Sequence, residues 1–291
     1  MPELPEVQTT VSGLNRVLSG LVITDAWTEY NSKYFHGKDT IKDPIYFKYF
    51  KKTVKNSKIL NVNRRAKNIL INLSNNHTIL IHMKMTGHVM YGDYNRKDPY
   101  NRFIRFIIYL SNGKTMELCD TRKFAKVTLL KTDKMHETIH LKNIGPEPLE
   151  KEFTFELFQN QIYKKPKGKI KSVLLNQEII AGIGNIYGDE SLWRAGIHPE
   201  QEVDKIKLNK LKELYKAIRQ TLAKGIDFGG DSMSDYRNID GEKGKFQEQH
   251  KAYRKTGQKC LKKNCNGTIQ RIVVGGRSSH FCSNHQIKEY N

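Results

Sequence analysis

The stretch KIKSVLLNQEIIAGIGNIYGDESLWRAGIHP (169–199) decides the fold of the chain's second half. Ile170, Val173 and Leu174 recur at helical spacing, Gly182-Ile183-Gly184 breaks the run, and a second helical run follows. Two glycines just before a helix start leave backbone N–H groups pointing outward, and such a start binds anions. This turn can sit on a phosphate with Asn185 donating from the helix start, although the same pattern also serves a plain turn. Around it, residues 153 to about 228 read as helical. KLNKLKELYKAIRQTLAKGI (207–226) reads as an amphipathic helix ended by Gly225, and GGDSMSDYRNIDGEKGKFQ (229–247) as a loop.

On the N-terminal side the periodicity changes. Val7, Val11, Leu14 and Leu18 mark one face of a helix over residues 5–19, with Gly20 placed to end it. From 21 to 130, short β-rich runs such as LVITDAW, ILINL, TILIHMKM, RFIIYL, MELCD and KVTLLK alternate with turn signals. Seven or so strands and one helix predict a β-sandwich or barrel. NIGPEPLEKEF (143–153), with Gly145, Pro146 and Pro148, predicts a linker.

The C-terminal tail carries Cys260-x4-Cys265, sixteen intervening residues, then Cys282-x2-His285. Two close ligand pairs joined by one hairpin are what a tetrahedral zinc site needs. A module this small cannot rely on its own apolar core, so one structural zinc ion would supply its stability. Nine Lys and Arg against Glu289 alone in residues 251–291 suit phosphate binding. The expected organisation is a multidomain α+β chain: a helix plus β-sandwich domain over 1–143, a linker over 144–152, a helical domain over 153–245 and a zinc-bearing β-hairpin over 246–291.

Composition fits a polyanion partner. Lys and Arg total 50 against 30 Asp and Glu, a formal charge of +20. The first 20 residues lack the pattern of a signal peptide, and no apolar run is long enough to span a membrane. With only four cysteines, three of them in the tail, the chain reads as an intracellular protein with a metal site, not a disulfide scaffold or membrane protein.

The N-terminus MPELPEV (1–7) holds two Pro-Glu pairs. Removal of Met1 would free Pro2 as a secondary amine with a pKa of roughly 8. Such an amine condenses with an aldehyde carbon to an iminium, and Glu3 beside it can shuttle protons. Pro5 and Glu6 are well explained by a helix start alone; that plain reading does not explain Pro2-Glu3, although local chemistry by itself still favours it.

PELPEV, RRAKNILI, HMKMTGH, DTRKF, GPEPL, QEIIAGIGNIYGDE, FQEQHKAY and RSSHFCSNHQ occur in that order. With them the chain resembles the formamidopyrimidine-DNA glycosylase/endonuclease VIII family over nearly its full length, the start and tail looking most like the formamidopyrimidine branch. The resemblance implies a helix–two-turn–helix domain and a bifunctional DNA glycosylase/AP lyase acting on damaged double-stranded DNA as a monomer, wherever the cell keeps its DNA. It implies that Pro2 attacks C1′ of the damaged nucleotide and Glu3 acts as general acid. Glu6 matches a further family acid, and Lys67 a lysine on the phosphate beside the lesion. Met85, Arg122 and Phe124 match the residues that fill the hole left by a flipped base, positions that otherwise read as β-core for Met85 and Phe124. Asn185 and Arg277 match backbone phosphate contacts. Oxidised purines (8-oxoguanine, formamidopyrimidines) are the first expected substrates; oxidised pyrimidines, or a non-catalytic zinc-finger DNA-binding protein, are the alternatives. The chain departs from the family at His285, where a fourth Cys is usual, and at Thr121, where Pro is common. Residues 28–60 match no motif.

Overall fold

The structure, a computed structural model, describes residues 1–92 and 97–289. They form two compact units, Met1–Lys142 with Phe228–Lys245, and Asn143–Asp227 with Phe246–Asn291. The sequence reading grouped the segment before residue 245 with the helices. In the structure 228–245 packs with the N-terminal unit instead.

In the first unit, α1 (Leu4–Leu18) buries Leu4, Val7, Val11, Leu14 and Leu18 along one stripe. The helix ends just before Gly20, whose φ is +90°. Eight strands follow: β1 (Ile23–Thr28), β2 (Ile59–Arg65), β3 (Asn68–Leu73), β4 (His77–His82), β5 (Gly87–Tyr91), β6 (Ile104–Leu110), β7 (Thr115–Asp120) and β8 (Lys126–Lys131). They build two antiparallel four-stranded sheets, ordered β1-β6-β7-β5 and β2-β3-β4-β8. Val7, Leu14, Ile71, Ile79, Phe106 and Leu118 belong to one continuous core, so helix and both sheets share it. The sandwich is thus the alternative realised.

Three elements escaped the sequence reading. The helix α2 (Pro44–Val54) starts at Asp43, whose carboxylate accepts the Ile45 N–H at 2.9 Å, and buries only Phe50 and Val54. Strand β2 buries only Ile59 and Val62 and carries a register shift, so it shows no clean alternation. β5 is short. The run TILIHMKM also ends earlier than its composition implies. The strand stops at His82, and Lys84 takes φ +56°, which turns the chain before Met85.

The second unit contains α3 (Phe155–Ile162), α4 (Ile170–Leu175), α5 (Asn185–Ala195), α6 (Leu208–Asp227) and the hairpin β9 (Ile269–Val274)–β10 (Arg277–Cys282). Gly196, at φ +68°, closes α5. Gly225 does not close α6, which continues to Asp227. Gly225 is there because the Tyr187 ring of α5 lies where its Cβ would be. Among the described residues, no helix is long and apolar enough to cross a membrane.

On an exposed helix Gly→Ala stabilises by about 1 kcal/mol. At Gly225 the sign reverses, because the methyl group meets an aromatic ring that also stacks on Phe246 at 4.8 Å. Gly225→Ala is expected to lower unfolding stability by ~1–3 kcal/mol in urea titrations.

Candidate active site and metal centre

The N-terminus is pinned. Glu6 is buried, its Oε2 accepting the Glu3 N–H at 2.7 Å and its Oε1 the Asp231 N–H at 2.7 Å. Gly230 passes so close that a Cβ there would lie 2.9 Å from Glu6 Cγ. Tyr236 adds a hydroxyl bond to the Glu6 carbonyl at 3.0 Å. One carboxylate therefore holds both the chain start and the 228–245 segment. Pro2 and Glu3 are buried beside it, with Pro2 still acylated by the exposed Met1.

Lys67 sits in the two-residue turn between β2 and β3, after Ala66 at φ +51°. That hairpin is fastened to α1, since Arg64 Nε donates to Gln8 at 2.8 Å and the Val62 N–H to Asn15 at 2.8 Å. Helix α1 thereby carries both the terminal pair and the hairpin of Lys67. Burial first, then Lys84 and Lys67, push the His82 imidazole down to about 3, so it is a neutral ring at physiological pH.

Met85, Arg122 and Phe124 form one cluster. Arg122 Nη1 lies 3.3 Å from Met85 Sδ, and its guanidinium stacks 4.4 Å from the centre of the Phe124 ring. Met85 is 42% and Phe124 48% exposed, so neither is a β-core residue. Buried Asp120 organises both turns. It accepts the Arg122 N–H at 3.2 Å, the Ala125 N–H at 2.7 Å and the Thr86 hydroxyl.

In the second unit, Gln177 bridges the glycine turn, accepting the Gly182 N–H at 2.9 Å and donating to the Ile183 carbonyl at 2.8 Å. Asn185 opens α5 with Oδ1 buried and unbonded, and its carbonyl accepts Lys171 Nζ at 2.8 Å. Fully buried Lys171 also pairs with Asp189 at 2.5 Å. Asp189 in turn accepts the Ser279 hydroxyl at 2.8 Å, and the His280 N–H and Nδ1 at 2.9 Å each. This network joins α4, α5 and β10, the strand that begins with exposed Arg277.

Cys260, Cys265, Cys282 and His285 converge, their ligand atoms all within 4.8 Å of one another. Cys265 Sγ–Cys282 Sγ is 3.5 Å, Cys260 Sγ–His285 Nδ1 3.5 Å and Cys265 Sγ–His285 Nδ1 3.6 Å. Metal–sulfur bonds of ~2.3 Å and metal–nitrogen bonds of ~2.0–2.1 Å give tetrahedral edges of about 3.5–3.8 Å, so these three edges fit a four-coordinate metal. His285 aims Nδ1 inward, and its Nε2 lies 3.0 Å from the Trp193 carbonyl, the outer bond that fixes a ligating imidazole. Trp193 Nε1 donates to Cys260 Sγ at 3.3 Å. The Gly267 N–H holds the Cys265 thiol below its ordinary value, toward the thiolate that binds metal.

The structure thus brings Pro2, Glu3 and Glu6 together, gathers Met85, Arg122 and Phe124, and assembles the four candidate metal ligands. Asn185 and Arg277 belong to the second unit. Sequence reading missed Asp120, Lys171, Asp189 and Glu190. Glu190 accepts the N–H groups of Lys251, Ala252 and Tyr253 at 2.8–3.1 Å and so holds the start of the tail. Asp120 lies in DTRKF and Asp189-Glu190 in QEIIAGIGNIYGDE; beyond those motifs the signal was an acidic pair inside a basic half of the chain.

Comparison with known proteins bears on these sites. The formamidopyrimidine-DNA glycosylase N-terminal domain matches residues 1–127, and the formamidopyrimidine-DNA glycosylase H2TH domain residues 144–237. The chain is 38% identical to formamidopyrimidine-DNA glycosylase of Pelotomaculum thermopropionicum, covering 97% of this chain and 98% of the other. It is 35% identical to that of Bacillus subtilis, covering 99% and 100%. Among solved structures, the complex of Lactococcus lactis Fpg with abasic-site DNA superposes with a TM-score of 0.82 at 32% identity, covering 96% and 97%. The L. lactis complex with N7-benzyl-Fapy-dG DNA gives 0.82 at 32%, covering 97% and 98%. The chain belongs to the formamidopyrimidine-DNA glycosylase family.

Asp120→Ala strips the partner from three donors on two adjoining turns. It is expected to cost at least ~2 kcal/mol of stability in urea unfolding, whereas Thr121→Pro, outside this network, should cost less.

Proposed function

We propose that this protein is a bifunctional DNA glycosylase/AP lyase of base excision repair that removes oxidised purines from double-stranded DNA. The observation that carries the reading is the buried Glu6 clamp. It holds a Pro2-Glu3 terminus rigid on the helix that also carries the Lys67 hairpin, in a chain of this family. A frayed terminus could not position a nucleophile to the ~0.5 Å that catalysis requires.

Once Met1 is removed, the neutral Pro2 amine attacks C1′ of the damaged nucleotide. The C1′–N bond to the base breaks, and Glu3 supplies the proton that lets base and ring oxygen depart. The resulting iminium draws electrons from C2′, whose proton is lost as the 3′ phosphate leaves. A second elimination then releases the 5′ phosphate. Glu6 acts here as a positioning residue, because both its oxygens accept backbone N–H groups. The lesion must leave the stack to expose C1′. Met85, Phe124 and Arg122 are adaptable, apolar and hydrogen-bonding side chains respectively, suited to fill the space and meet the orphaned base. Lys67, Asn185 and Arg277 would grip phosphates, which sets register without sequence preference.

The metal would be one structural zinc ion, held by Cys260, Cys265, Cys282 and His285 and taking no part in the reaction. All groups invoked lie on one chain, so a monomer suffices. Purine lesions are favoured because the relatives are named for formamidopyrimidines, and an L. lactis structure holds a Fapy-dG derivative.

Duplexes bearing 8-oxoguanine, thymine glycol or dihydrouracil separate the readings. Nicking is expected at 8-oxoguanine, and Pro2→Gly should reduce it at least ~100-fold while leaving DNA binding intact. Preference for the pyrimidine lesions would move the protein to the endonuclease VIII reading, and no nicking of any substrate would contradict the enzyme. For the tail, metal analysis should find one zinc per chain. Cys282→Ala should lose it and unfold the hairpin, and Cys282→His should retain it.

A further inference from the structure

The first unit contains a groove of about 1270 Å³ that shares Met85, Arg122 and Phe124 with the chemistry above and is otherwise unused by it. The cluster of Met85, Arg122 and Phe124 lines it together with Phe35, Ile139 and His140. One wall comes from residues 35–42, inside the stretch that matches no family motif. Eight of its lining side chains are Lys or Arg, and Asp39 is the one acid among them. Its volume exceeds the ~300–1,000 Å³ typical of small-molecule sites, so it suits a polymer.

The lining combines charge with apolar surface. Ile139 is 80% exposed, and Phe35, Phe124 and Leu129 line the same groove. Lys38 and Lys42 stand 5.4 and 5.1 Å from the centre of the Phe35 ring. Two cations are already engaged within the protein: Lys42 donates to the Lys123 carbonyl at 2.6 Å, and Lys123 pairs with Glu29 at 3.0 Å. Lys126 has a different neighbour, His140, both of whose ring nitrogens lie 3.4 Å from Nζ. Burial first, and Lys84 near it, hold the Lys126 ammonium below its ordinary value; Asp39 opposes them. An incoming anion relieves that crowding of positive charge.

We propose that this groove binds single-stranded DNA that continues from the Met85–Arg122–Phe124 cluster. The inference rests on the DNA-repair reading of that cluster. A duplex offers a wall its sugars, phosphates and base edges but not its base faces, which are stacked inside, and so leaves the aromatic residues without stacking partners. A single strand offers phosphates to the lysines and base faces to Phe35, Phe124 and Ile139, the combination that strand-binding grooves use. An acidic peptide would satisfy the charge, but gains nothing from continuity with a wedge that works on bases.

The test is fluorescence anisotropy with a labelled twelve-nucleotide oligothymidylate and an equally long abasic strand, over a salt series. The oligothymidylate is expected to bind about 5-fold or more tighter than the abasic strand, and Ile139→Ser with Phe35→Ala should erase that preference. Lys131→Gln with Lys134→Gln should make the slope of log K against log salt shallower by about 1.4, two phosphate contacts at ~0.7 each. Equal binding of both strands, an unchanged slope, or stronger binding of an acidic peptide that these variants abolish would each overturn the proposal. Nicking of an 8-oxoguanine duplex by the same preparations keeps the two readings apart. If nicking persists while the strand effects are missing, the groove alone fails. If wild type does not nick, the DNA-repair reading fails.

Discussion

One buried carboxylate sets the geometry on which the rest depends. Glu6 has no exposure to spare, so both oxygens must find donors, and they find the N–H groups of Glu3 and Asp231. The first bond removes the usual fraying of a chain terminus. The second draws in residues 228–245, flanked on both sides by the other unit's sequence. Without that clamp, Pro2 would be a flexible tail; with it, Pro2 is buried just ahead of α1.

The same device recurs. The chain carries +20 overall, yet its organising groups are acids: Glu6, Asp120, Asp189 and Glu190, all buried. Each gathers backbone N–H groups, and Asp189 also a buried lysine. The division of labour is electrostatic. Acids inside fix turns and join elements, while Arg122 and Arg277 stay exposed. A buried ion pair such as Lys171–Asp189 is weak support for stability by itself, but removing one partner leaves an uncompensated charge, so the arrangement is strongly specified.

How much of this was legible in the sequence follows from the range of the interactions. Helix α1 was readable because Val7, Val11, Leu14 and Leu18 repeat on one face. The convergence of Cys260, Cys265, Cys282 and His285 was readable because their spacing is local and the hairpin between them is short. Met85 and Phe124 were legible only through family resemblance, since their exposure depends on turns that Asp120 holds from another strand. The second partner of Glu6, Asp231, lies 225 residues away, beyond any local pattern. Strand β2 and helix α2 were hidden for a different reason: each buries two side chains, and Leu60 is left in solvent, so neither shows a clean period. Gly225 misled because a glycine late in a helix reads as a stop, whereas here it makes room for Tyr187.

The central claim is that the nucleophile is the terminal amine that Glu6 holds in place, and its location can be read directly. Borohydride added during reaction with damaged duplex reduces the iminium and fixes the sugar to the protein, and peptide mass spectrometry then finds the attachment. The account predicts a peptide that lacks Met1 and carries the sugar on Pro2. Attachment to Lys67 or any other lysine, or a trapped peptide that still begins with Met1, would contradict it.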